Sequence, residues 1–142
     1  MKTVFGFDEA SSFLKKMSSG MEERMERAMQ KAVLVVEAAA KENIVHGRTD
    51  WPALRPLTLA RRKDNRILYD QGTLLRSIHS EATAMQGVIG SPLKYAPVHE
   101  FGCHNAGVNR DVTIPQRSYL EPAAVENVEK IKDVYVEELK NV

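Results

Sequence analysis

From Gly20 to about His46 the chain has no proline and no internal glycine, and Met21, Met25, Ala28, Ala32, Val35, Val36 and Ala39 recur at three- and four-residue steps. That period predicts one long helix with a single apolar face. At about 1.5 Å per residue such a helix is roughly 40 Å long, as long as a domain of this size is wide. Part of it must therefore project or pack on a neighbour. The series Met17, Met21, Met25, Met29 reads as a flexible core stripe or as a subunit-facing surface that re-packs around a partner. Upstream, Thr3 to Phe7 alternates like an edge strand, and Asp8 is placed to cap a separate short helix that ends near Ser18–Gly20.

The remainder of the chain is too punctuated to continue as helix. Gly47 to Pro56 carries Trp51-Pro52 and Pro56, which forbid a regular helix, and the only tryptophan, Trp51, is expected to plug the core. A short basic helix is expected at Thr58–Asn65, and Asp70-Gln71-Gly72 forms a turn before Thr73–Ser77. The period then changes, and Ile78–Thr83 with Gly87–Ser91 reads as a hairpin joined at Ala84–Gly87. Pro122 suits the first turn of a C-terminal helix running to about Lys140. Its stripe is Ala124, Val128, Ile131, Tyr135 and Leu139, with a surface ion pair between Glu126 and Lys130. The expected fold class is α+β, in one domain spanning residues 1–142. A small antiparallel sheet packs with one long N-terminal helix and one C-terminal helix, and short helices occupy the connector.

Composition removes several functions. A chain of 142 residues buries roughly 68–70 % of its unfolded surface, so folding requires neither metal nor disulfide. With 20 basic and 19 acidic side chains, net +1, there is no global field to draw it onto nucleic acid or an anionic membrane. The longest apolar run, Ala32 to Ala40, is interrupted by Glu37 and falls well short of a membrane span. The N-terminus lacks the apolar core of a signal peptide, and the lone Cys103 suits a reducing compartment. These features lead to the expectation of a soluble, cytosolic protein without a membrane role.

Three constellations invite a chemical reading. His99, Cys103 and His104, with Glu100 and Asp111 nearby, offer ligand types that zinc accepts. A fourth ligand is missing unless Asp111, His46 or His79 supplies it, and a Cys/His nucleophile pair would lack an orienting group, so no metal, cofactor or catalytic residue is assigned. The segment Arg55, Arg61, Arg62, Lys63 and Arg66, preceded by Arg48, is able to touch phosphates without sequence preference. No aromatic residue interleaves to stack on bases, and a solvated face or charged subunit contact explains it as well. The acidic residues Glu126, Glu129, Asp133, Glu137 and Glu138 alternate with Lys130, Lys132 and Lys140, which makes a solvated helix face.

The most distinctive segment is Tyr95–Ala123. A short helical turn from Tyr95 to Phe101 is expected to bury Tyr95, Val98 and Phe101 and to present His99 and Glu100 on its other side, with Gly102 releasing the chain. About ten polar residues, Cys103 to Val112, then leave the body as a loop that orders on meeting a neighbour. Ile114-Pro115 returns in extended form, Arg117 pairs with a carboxylate such as Glu100 or caps a carbonyl, and Tyr119 and Leu120 anchor the return.

Six motifs in this order resemble a known pattern: Trp51, Leu54 and Thr58; Ile67-Leu68; Gly72, Leu74 and Ser77-Ile78; Val88 with Gly90-Ser91; Tyr95-Ala96 with His99-Glu100 and Gly102; and Ile114-Pro115, Arg117, Leu120 and Pro122-Ala123. Over about residues 50 to 125 the chain resembles the virion-morphogenesis or tail-completion family of Mu-like prophages, which overlaps the neck and tail-component family of siphophages. The resemblance implies a non-enzymatic structural protein of the head–tail junction or upper tail, present in the host bacterial cytoplasm during assembly and then in the virion. It further implies a ring of identical subunits around a DNA-conducting channel, with other neck or tail proteins as partners. Its signature residues, Trp51, Tyr95, His99, Glu100, Phe101, Gly102, Pro115, Arg117, Tyr119 and Leu120, are then expected at subunit contacts. Two departures stand out: Ser118-Tyr119 replaces the proline and phenylalanine of many relatives, and Cys103–Val112 has no alignable residue.

Overall fold

A computed structural model describes residues 7–140. The edge strand expected at Thr3–Phe7 lies outside these residues except for Phe7, which already begins the first helix. That helix, α1 (Phe7–His46), runs unbroken for 40 residues, about 60 Å. The break expected at Ser18–Gly20 is absent, and Asp8 lies in the first turn rather than capping a separate helix. An internal glycine costs a helix about 1 kcal/mol relative to alanine, which the helix-forming neighbours Lys15, Lys16, Met21, Glu22 and Glu23 tolerate. The true stop is Gly47, at φ +72°, whose N–H returns to the Asn43 carbonyl at 2.9 Å.

Among the residues of α1 whose burial is described, only those of its second half enter the core. Ala28, Ala32, Val33, Val36, Ala40 and Ile44 are buried, whereas Phe13, Leu14, Met17 and Met21 are exposed. The methionine series is thus divided: Met17 and Met21 face out, Met25 and Met29 are half-buried. Two short helices follow, α2 (Pro56–Arg61) and α3 (Thr73–Ser77). The basic helix expected at Thr58–Asn65 is shorter and earlier, because Pro56 starts it and Arg62 has already turned extended.

The expected hairpin is present as β1 (His79–Ala82) and β2 (Gly87–Gly90), paired antiparallel from His79 opposite Gly90 to Ala82 opposite Gly87. It lies against α1, where the Ser80 hydroxyl donates to the Glu37 carboxylate at 2.5 Å and Gly87 approaches Val33 and Met29. Next come α4 (Ala96–Phe101), β3 (Cys103–Ala106) and β4 (Val112–Ile114). The last two form a second antiparallel pair whose register slips between Cys103 and Ala106, so the expected loop is a bulged hairpin, and the described residues hold two two-stranded sheets instead of one.

The C-terminal helix is divided into α5 (Glu121–Val125) and α6 (Val128–Lys140). At the joint the Asn127 amide donates to the Ala123 carbonyl at 2.7 Å, a side-chain bond that competes with the backbone ladder. The break rotates the inner face: Ala123 is buried, while Ala124 and Val128 from the expected stripe are exposed and Ile131, Tyr135 and Leu139 are half-buried. Glu126 does not pair with Lys130; it takes a bidentate bond from Arg48, at 2.7 and 3.1 Å. Antiparallel to α1, α6 ends where Glu138 meets Arg27 and Lys31 and the Tyr135 hydroxyl meets Met29. The architecture is α+β.

Candidate functional site

The site is the seam where α4, the 117–121 segment and the Trp51 connector meet at the C-terminal end of α1. Glu100, 5 % exposed, is buried. Its carboxylate accepts from the Ser118 hydroxyl at 2.6 Å and from the backbone N–H groups of Tyr119 at 2.9 Å and of Leu120 and Glu121 at 3.0 Å. Those N–H groups open α5 and have no partner within the helix, so a side chain from α4 does the work of a cap.

Arg117, 6 % exposed, is the opposite device. Its Nε donates to the Pro52 carbonyl at 2.9 Å and an Nη to that of Ala53 at 3.0 Å, while its backbone N–H donates to the His99 carbonyl at 2.8 Å. Of the two roles expected for it, carbonyl capping is the one it performs. Burial, and then the Arg62 charge, lowers its pKa from the ordinary guanidinium value. Trp51 donates its indole N–H to the Ser118 carbonyl at 3.0 Å, and Asn43 of α1 donates to the Tyr119 carbonyl at 3.1 Å. The Tyr119 ring, 1 % exposed, fills the space between. Burial, and then the Glu100 charge, pushes its hydroxyl up to about 12.

This geometry inverts the expected face of α4. Ala96 and Glu100 point inward, while Tyr95 and Phe101 are exposed and Val98 is half-buried. The donors of α5 decide the rotation, because leaving several buried N–H groups unpaired costs more than exposing two aromatic rings. Gly102, at φ +76°, turns the chain into β3, and a Cβ there would lie 3.0 Å from the Gln116 nitrogen. Pro115 and Leu120 flank the seam half-buried.

Beside the seam lies an open cleft of about 610 Å³, reached by Leu54, Arg62, Ile67, Tyr95, His99 and Arg117. His99 stands edge-on to Tyr95, ring centres 5.9 Å apart, and its Nδ1 is buried without a partner. Burial, and then the charges of Arg117 and Arg62, lowers its pKa, so it is neutral near pH 7.

The basic segment does not act as a unit. Arg62 donates to the Ile67 carbonyl at 3.0 Å and stands 3.6 Å from Asp70. Arg66 grips Asp64, holding that carboxyl down to about 2, and stacks over the Tyr69 ring at 3.7 Å. Arg55, Arg61 and Lys63 remain at the surface. Among the described residues no three His, Cys, Asp or Glu side chains are grouped to hold a metal ion, and Glu100 has its oxygens committed. Sequence reasoning missed Asn43, Ser118 and the Arg48–Glu126 bridge; each depends on a residue far along the chain, and no local pattern marks it.

The charged groups at this seam all close on backbone or hydroxyl partners, which makes it a structural joint of the α+β fold. Residues 9–140 match the phage virion morphogenesis family, and the chain belongs to that family. It is similar to the Mu-like prophage FluMu G protein 2 of Haemophilus influenzae, with 27% identity over 126 residues, 89% of this chain and 86% of that protein. No solved structure matches it. The protein thus has a role in phage virion assembly. Among the described residues no helix is long and apolar enough to cross a membrane.

Proposed function

We propose that the protein acts at the head–tail junction or upper end of the tail, as a tail-completion or neck component, and that it does so as a homo-oligomeric ring without catalysing a reaction. The observation that carries this reading is where apolar surface remains. Large side chains are exposed at two places: Phe13, Leu14 and Met17 on the N-terminal half of α1, and Phe101 at the end of α4 with Val108 in the second hairpin. Such surface is normally covered by a partner. The Glu100 and Arg117 joint fixes the hairpin's root, so its direction is set before a neighbour arrives. The signature residues Tyr95, Phe101 and Gly102 then serve at the subunit contact, while Trp51, Glu100, Arg117 and Tyr119 serve by holding it in place.

On this reading the protein is free in the host bacterial cytoplasm until it joins the virion, its partners are copies of itself and other neck or tail proteins, and DNA passes its channel without sequence-specific contact. Binding of nucleic acid through Arg55–Arg66 is disfavoured, since Arg62 and Arg66 already serve carbonyl and carboxylate partners in their own chain. Light scattering and negative-stain imaging of purified protein should give rings or concentration-dependent oligomers. A phage lacking the protein should accumulate heads and tails that do not join. A strict monomer that binds DNA tightly and salt-dependently would overturn the proposal.

A further inference from the structure

The open cleft beside the seam combines recessed positive charge with a bare strand edge. Its basic side chains are Arg55, Arg62 and Arg117, its one carboxylate is Asp70, and His99 is neutral there. Two of the arginines are recessed: the side chain of Arg62 is 13 % exposed and Arg117 is 6 % exposed. Arg62 gives Nη1 to the Ile67 carbonyl, and its Nε stands 3.6 Å from Asp70, beyond a hydrogen bond. Arg117 gives Nε and Nη2 to the Pro52 and Ala53 carbonyls. Among the described residues Nη2 of Arg62 and Nη1 of Arg117 therefore have no partner. The only side-chain nitrogen or oxygen there that is both buried and unpartnered is His99 Nδ1, so these two Nη groups reach solvent, and both side chains border the cleft.

The strand β4 supplies the second element. Val112, Thr113, Ile114 and Pro115 all border the cleft, whereas one face of a strand would present only alternate residues. The strand thus turns its edge to the opening. Among the described residues β4 pairs with β3 alone, Thr113 has no partner in that register, and Val112 and Thr113 are exposed. Leu54, Ile67, Ile114 and Pro115 add half-buried apolar surface.

We propose that the cleft binds an extended acidic segment of a partner protein, which adds a strand to the free edge of β4 and sets an aspartate or glutamate against Arg62 and Arg117. An unpaired edge is a template for main-chain pairing. A guanidinium matches a carboxylate fork to fork, and a recessed charge without a counter-ion gains from one that closes its remaining hydrogen bonds. Burial and the Arg62 charge lower the pKa of Arg117 and no carboxylate offsets them, in keeping with a charge that lacks its counter-ion. Nucleic acid fits less well, because phosphate binding draws on several accessible cations and two of the three here are recessed among apolar residues. The volume of about 610 Å³ lies within the roughly 300–1,000 Å³ of ligand sites, room for a short segment and not for a domain. The site is built within one chain, so it depends neither on a ring nor on a place at the neck.

A displayed library of random peptides selected on the full chain supplies the probe, and fluorescence anisotropy of the selected peptides, made synthetically, measures binding. Recovered sequences should share an aspartate or glutamate within a run of strand-forming residues. Changing that residue to asparagine or glutamine should weaken binding to the unmodified protein about tenfold or more. Arg62→Gln should weaken it to the same degree, and Arg61→Gln, whose side chain does not border the cleft, should leave it unchanged. Binding should also slow amide exchange within Val112–Ile114. A library that yields no binder, binders without a common acidic residue, or an uncharged counterpart that binds as well would each overturn the proposal. So would unchanged binding by Arg62→Gln, protection that falls elsewhere, or displacement by a DNA duplex or inorganic phosphate at the peptide's own concentration.

Discussion

A carboxylate enclosed by donors is sensitive to its charge more than to its volume. Glu100→Gln keeps the shape but turns one acceptor oxygen into an amine facing N–H groups, and is expected to cost about 3 kcal/mol in urea unfolding. Glu100→Ala, which abandons the Ser118, Tyr119, Leu120 and Glu121 donors together, should cost more. The exposed Glu121→Gln serves as control, with a change within about 0.5 kcal/mol. His99 supplies a pH test at the same seam. Its folded-state pKa lies below the ordinary 6.5, burial being the first cause. As pH falls the unfolded chain takes up the proton first, so the His99 contribution is complete above pH 6.5 and is lost as pH falls from there through the lower folded-state value. Unfolding free energy should therefore rise with pH just below 6.5, and His99→Gln should flatten that rise. An unchanged slope in the variant would assign the titration to another group.

At the scale of elements, local pattern was legible where one face meets one layer, and it failed where a distant group decides. The period of α1 picked out Ala28, Ala32 and Val36, which are buried, but missed Val33, Ala40 and Ile44, because the helix is covered on more than one side: α6 reaches Arg27 and Lys31, and the first hairpin reaches Met29, Val33 and Glu37. Gly20 misled because a glycine stops a helix only when the chain beyond it turns, as Gly47 does at φ +72°. The face of α4 was misread because Tyr95, Val98 and Phe101 look like an inner stripe, and the donors that pull Glu100 inward lie 18 to 21 residues further on. Trp51, Glu100, Arg117 and Tyr119 were all singled out from sequence and do converge, but only coordinates separate joint from surface. Two glycines test this view. Gly102→Ala combines a left-handed backbone with a 3.0 Å approach to the Gln116 nitrogen, so it should destabilise by more than 1 kcal/mol. Gly20→Ala meets open space and should add about 1 kcal/mol of helix stability, read as slower amide exchange in the free half of α1.

For the whole molecule, one helix serves two purposes, and the division falls where α6 ends. On the C-terminal side of Arg27 apolar residues of α1 hold the fold; towards the N-terminus Phe13, Leu14, Met17 and Met21 are exposed. Substitutions of the same kind should accordingly separate two measurements. Ile44→Ala removes a side chain with 0 % exposure from the main core and should cost about 2–5 kcal/mol in unfolding free energy. Phe13→Ala removes a larger apolar group and should change that free energy by no more than about 0.5 kcal/mol, because the ring is already in water. Self-association should respond in the opposite order, weakened by Phe13→Ala and retained by the folded fraction of Ile44→Ala. If Phe13→Ala instead lowered stability with association intact, the ring would have to pack within its own chain, and the free half of α1 would belong to the core rather than to the assembly.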